Sequence, residues 1–124
     1  MRDAIINPMT SGHADSLRAL YQAFNDRDLE AVLAAMAPDV DWPNGWEGGR
    51  LSGRDEVRDY WERQWREIRP MTIVRHLRDR SDGTVEARVR LVVRDPAGNV
   101  LERSEVTHVH EFVGPHVRRM TLEQ

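Results

Sequence analysis

Apolar residues recur with helical spacing in the first half of the chain and with strand spacing in the second. Leu17, Leu20, Tyr21 and Phe24 stand at i, i+3, i+4 and i+7, and Leu29, Val32, Leu33 and Met36 repeat those offsets. Each stripe covers one side of a helix, so two consecutive helices must lean on a shared surface to bury it. The pattern predicts a first helix over about residues 11–25 and a second that Asp28 caps and Pro38 ends. Residues 39–42 read as a short strand. PNGWEGGRLSG then reads as a loop whose four glycines let backbone approach a ligand closely. A third helix follows, with Ser52 and Asp55 as its capping box, Val57, Tyr60, Trp61, Trp65 and Ile68 as its stripe, and Pro70 as its stop.

After Pro70 the period changes to two. Residues 71–78, 84–94, 100–113 and 117–122 read as strands, separated by the turn-forming runs SDG, DPAG and GPH. Helices followed by an antiparallel meander predict an α+β domain in which three N-terminal helices pack on a curved antiparallel sheet of four to six strands. Residues 1–124 form a single domain in this reading, with 1–10 a loose lead-in. Turn chemistry sets Asp79 opposite Thr84, Arg94 opposite Asn99 and Phe112 opposite Val117. One face then gathers Val74, His76, Val85, Ala87, Val89, Val106, His108, His110, Phe112, Val117 and Thr121. The same register pairs Arg88 with Glu105 on the other face. That face also carries Val109, Val113, Met120 and Leu122, enough apolar surface to predict a homodimer through it. A bulge near Pro96 would instead shift one strand's parity and turn Arg88 and Arg90 inward.

Composition narrows the function classes. At 124 residues, 40 % hydrophobic and 31 % charged, the chain can bury one real core. It has no cysteine, which excludes disulfides, a thiolate nucleophile and a sulfur metal site. All 18 basic residues are arginine, interspersed with acids at a net charge of −3, so no basic face exists for nucleic acid. The N-terminal residues lack a signal peptide's apolar run and no stretch is long enough to span a bilayer, so a cytoplasmic protein without membrane contact is expected.

The candidate chemistry is imidazole and aromatic. His108, in an apolar surround, titrates near neutrality and serves as acid, base or hydrogen-bond donor, and desolvation would keep it neutral, as a general base requires. The same ring is equally read as a core histidine with a structural partner. His108 and His110 form H-x-H on a strand, with His76 as a third potential ligand. No carboxylate is fixed beside them, so neither a metal nor another cofactor is expected. Trp42 and Trp46 flank the glycine-rich loop and suit a cavity mouth, where aromatic walls favour a flat apolar ligand, with Tyr21 and Trp61 beside them. Trp61 and Trp65 also fit a plain core stripe. Asp41 is placed to orient a histidine or act as base, and Asn44 to hold a water or a carbonyl, although both are ordinary turn formers. Arg119 beside His110 either binds an anionic substrate group or pairs with a surface acid.

Taken together, YQAFNDRDLEAVLAAMAPDVDW, GGRLSGRDEVRDYW, and HVHEF followed by GPHV resemble the nuclear transport factor 2-like superfamily, within it the polyketide-cyclase (SnoaL-like) branch. The resemblance implies a cone-shaped, cystatin-like barrel with a conical cavity under three helices. Members include isomerases, cyclases, dehydratases, epoxide hydrolases and non-catalytic binding proteins, so fold analogy leaves the activity open. Against the ketosteroid isomerase pattern, Trp42 stands at the base, His108 at the acidic oxyanion position and Leu20 at the tyrosine, with Tyr21 one residue away. Against the limonene epoxide hydrolase pattern, Asn44 matches the water-positioning asparagine, Trp42 a tyrosine and Arg88 the arginine. Arg90 and Leu122 fall near its two aspartates.

The resulting expectation is a cofactor-free isomerase, cyclase or hydratase that moves protons on a small apolar, carbonyl-bearing molecule. His108 would be its acid/base, aided by His76 or Asp41. The alternative is a non-catalytic ligand-binding or dimerisation module.

Overall fold

Helix α1 (Gly12–Asn25) turns Leu17, Leu20, Tyr21 and Phe24 into the interior, as its stripe requires. The computed structural model describes residues 12–123, so the lead-in at 1–10 lies outside the described residues. Arg27, at φ 61°, reverses the chain, and the Asp28 side chain then accepts the Ala31 N–H to start α2 (Leu29–Ala34). Replacing Asp28 with alanine should cost about 1 kcal/mol of stability, measured by urea unfolding. Pro38 does not end this helix. Strand β1 (Met36–Pro43) has already begun, and Met36, the last position of the second stripe, is fully buried as a strand residue.

Strand β2 (Arg50–Ser52) forms inside the glycine-rich segment and pairs back on β1. Helix α3 (Gly53–Glu67) starts at Ser52, but not through the expected capping box. The Glu56 carboxylate accepts the Ser52 N–H at 2.7 Å, and the Ser52 side chain makes no cap bond. The meander follows as β3 (Arg69–Asp79), β4 (Val85–Arg94), β5 (Val100–Val113) and β6 (His116–Glu123).

The strands form one six-stranded sheet in the order β2-β1-β6-β5-β4-β3. Three parts of the expected architecture are corrected. The sheet is mixed, because β1 runs parallel to β6, and it is open, with β2 and β3 as edges rather than closed into a barrel. Nor are all three helices N-terminal to the sheet, since α3 follows β1 and β2. The core lies between the helical stripes and one sheet face, joining Leu17, Val32 and Val57 to Val85, Val89 and Val117. Asn25 ties the end of α1 to β3. Its amide donates to the Thr72 carbonyl at 2.7 Å and accepts the Thr72 N–H at 2.8 Å.

Three bulges decide which side chains face that core. At the 95–99 turn Arg94 pairs with Val100, one residue beyond the expected partner, and the irregularity before Glu102 adds a second residue. The two offsets cancel in parity. Ala87 opposes His108, Val85 opposes His110, and both imidazoles stay on the inner face. Arg88 and Arg90 therefore remain exposed, and Glu105 pairs with Arg90 rather than Arg88. The other two bulges are uncompensated. One at Arg75 pairs His76 with Arg88, exposing His76 and burying Leu77 in its place. One at Arg118 sets Met120 opposite His110 and Leu122 opposite His108, so both turn inward and Thr121 faces outward across from Val109. The four-residue outer patch expected to carry a dimer is thus divided between the two faces.

Candidate functional site

A hollow of about 320 Å³ opens between the helices and the inner sheet face, at the small end of ligand-pocket sizes. Leu20, Tyr21 and Phe24 of α1 and Tyr60, Trp61 and Gln64 of α3 wall it from above, and Val106, His108, Met120 and Leu122 from the sheet. Trp42, Pro43, Gly45 and Trp46 line it at the start of the glycine-rich loop. Helical periodicity explains these walls. Tyr60, Trp61 and Gln64 share the inner side of one helix, so the stripe that packs the core also surfaces the hollow.

The aromatic groups form a connected chain. The Trp61 ring lies 5.8 Å from Trp42, 5.4 Å from Phe24 and 6.2 Å from Tyr60, and stacks on Trp65 at 5.8 Å. Trp46, the most exposed tryptophan, sits 6.4 Å from Tyr60. Offset and edge contacts at these distances hold the rings in place.

Opposite this wall lies the polar element. The Tyr21 hydroxyl is 2.7 Å from His108 Nδ1 and 3.2 Å from His110 Nε2. His110 Nδ1 in turn reaches the Val85 carbonyl at 3.4 Å. His110 is fully buried, whereas His108 is half-buried and lines the hollow. Burial pushes His108 down to about 4 and His110 down to about 3, with neighbouring His108 lowering His110 further against the opposing pull of the Val85 carbonyl. Burial also raises the Tyr21 phenol well above its ordinary value. All three groups are neutral at pH 7.

Other candidates from the sequence lie elsewhere. Asp41 alternates with the inward Val40 and Trp42, so it faces out, held by Arg50 at 2.5 Å and Arg119 at 2.9 Å. Arg119 pairs across the sheet with Glu111, on the outer face rather than beside His110. Asn44 does turn chemistry. Its side-chain oxygen accepts the Trp46 and Glu47 N–H groups and its amide donates to Glu47. His76 is on the exposed face, away from the other imidazoles. Among the described residues no three His, Asp or Glu side chains gather as a metal site, and no helix is long and apolar enough to cross a membrane.

Two contributors escape a reading of hydrophobic pattern. Gln64 is buried on the α3 stripe, donating to the Tyr60 hydroxyl at 2.9 Å. Its position three residues after Trp61 was the available signal, hidden by its polarity. Met120 and Leu122 reach the hollow only because of the Arg118 bulge, which no turn motif marks.

A family model described as a SnoaL-like domain matches residues 17–120. No curated protein matches. Among solved structures, TerC co-crystallised with polyporic acid superposes with a TM-score of 0.78 at 22% identity, covering 91% of each chain. An NTF2-like protein of unknown function from Burkholderia pseudomallei K96243 gives 0.79 at 24% identity, covering 92% of this chain and 91% of that one. Rv0760c from Mycobacterium tuberculosis, in complex with estradiol-17beta-hemisuccinate, gives 0.80 at 14% identity, covering 93% and 95%. At these identities the superpositions establish a shared fold.

Proposed function

The chain belongs to the SnoaL-like domain family, and from that premise we propose that its hollow binds a small, flat, largely apolar molecule and moves a proton on it without a cofactor. His108 is the acid/base. The observation that carries this reading is the Tyr21–His108–His110 arrangement, which holds a neutral imidazole at the wall of an aromatic hollow. TerC and Rv0760c, which share the fold, were crystallised with polyporic acid and an estradiol ester, and ring systems of that kind suit tryptophan walls.

The lowered pKa limits the chemistry. An imidazole at about 4 takes up a proton only where the negative charge it creates stays beside it. The anion it creates must therefore stay beside the protonated ring until it is reprotonated, which favours enolisation, isomerisation or cyclisation over release of an anion.

Solvent exchange tests this directly. In D2O, the protein should accelerate exchange at the carbon next to the carbonyl of 2-tetralone. His108→Ala should reduce that rate about 10²–10⁴-fold, while His76→Ala leaves it unchanged. Equal rates for wild type and His108→Ala count against the assignment.

One observation favours a second reading, a binding module without catalysis: Asp41, the carboxylate expected to assist, is engaged by Arg50 and Arg119 on the outer face. Tryptophan fluorescence that responds to 2-tetralone without exchange would support that reading.

A further inference from the structure

The hydrogen-bond roles around Tyr21 follow from one fixed end. The Val85 carbonyl only accepts, so His110 Nδ1 carries that ring's proton. A neutral imidazole has one N–H, so His110 Nε2 is bare and accepts the Tyr21 O–H. Tyr21 has no second proton to give. The 2.7 Å bond to His108 therefore runs from His108 Nδ1–H to the tyrosine oxygen. His108 Nε2 is left with a free lone pair.

The ring that carries it borders usable space. The buried side-chain polar atoms without a partner, among the described residues, are Gln64 Oε1 and Trp65 Nε1. His108 Nε2 is not among them: its ring is half-buried and lines the hollow. The charged side chain among the described lining residues is Glu102, and no arginine lines the hollow, so nothing there neutralises an anion.

Resting on the ligand-binding reading above, we infer that the hollow selects neutral hydroxyl-bearing aromatic molecules, phenols or enols, whose O–H donates to His108 Nε2. A bare nitrogen cannot bond a ketone oxygen, because both are acceptors. A carbonyl compound is held at this point as its enol, and a carboxylate is rejected by lone-pair repulsion and the absence of a countercharge.

Three naphthalenes of similar size separate the possibilities. 2-Naphthol should bind several-fold, up to about tenfold, more tightly than 2-methoxynaphthalene, the value of one neutral hydrogen bond, with 2-naphthoate weaker still, all read by tryptophan fluorescence. Histidine ¹⁵N spectra at pH 7 should show His108 protonated at Nδ1 and bare at Nε2, with the Nε2 resonance moving on addition of 2-naphthol. Tyr21→Phe keeps the ring but removes the oxygen that fixes the tautomer, and should give His108 mixed tautomers and a smaller preference for naphthol over its ether. Equal affinity for naphthol and its ether overturns hydroxyl selection and leaves the hollow as a ligand site. Binding of neither overturns both readings. A proton on His108 Nε2 overturns the assignment of roles whatever binds.

Discussion

Stability should fall steeply as the pH drops from about 6.5 towards 4. In the unfolded chain His108 and His110 take up protons near the ordinary histidine value of 6.5, whereas burial in the fold holds them neutral down to about 4 and about 3. Between those values the unfolded state binds more protons than the folded one, so acid draws the equilibrium towards unfolding and stability rises with pH. The contribution is complete above 6.5. By pH 4 each ring has cost on the order of 3 kcal/mol, against a total of roughly 5–15 kcal/mol for an ordinary domain. The exposed ion pairs, such as Arg58–Glu30 and Arg63–Glu47, add little by comparison. Urea unfolding at pH 7, 5.5 and 4 checks this. The wild-type midpoint should fall sharply, and His110→Gln, which removes one titrating ring, should show about half the pH dependence. A wild-type midpoint that holds through pH 4 would mean the rings are not buried as neutral groups.

Trp61→Ala should cost about 3–5 kcal/mol, the usual range for deleting a large buried ring. Trp61 touches Phe24, Trp42, Tyr60 and Trp65, so its loss uncouples α3 from α1 and β1 together and enlarges the hollow it walls. Trp61→Phe retains an aromatic edge and should lose far less. Urea midpoints report the two costs, and near-ultraviolet circular dichroism reports the broken ring coupling. A Trp61→Ala midpoint within error of wild type would show that the ring chain is not what joins these elements.

The helical stripes were legible because each is long enough to be read against a single period. Leu17 to Phe24 and Val57 to Trp65 went where their spacing sent them. Strand parity was harder, since one inserted residue reverses every side chain beyond it. Alternation predicts His108 and His110 inward, and they are, but in a register two residues away from the one the turn chemistry sets, because the turn and the bulge before Glu102 cancel in parity. His76, Met120 and Leu122 lie beyond single bulges, which put them on the face opposite to the one their alternation predicts. Bulges arise from how strands twist against their neighbours, a tertiary property that local composition does not record. Helical spacing makes Tyr21 a wall residue, yet its place between two imidazoles depends on residues almost ninety positions away. Asp41, Asn44 and Arg119 show the converse error, in which polar residues near a loop read as chemistry but serve turns and ion pairs.

The link from Asn25 to Thr72 bears on how the molecule behaves at high concentration. Strand β3 is a sheet edge, and the N–H and C=O of Thr72 point away from β4, where a foreign segment would dock to begin a seventh strand. The asparagine amide already occupies both groups. Polymerisation along that border is blocked near its start by a side chain of the same molecule.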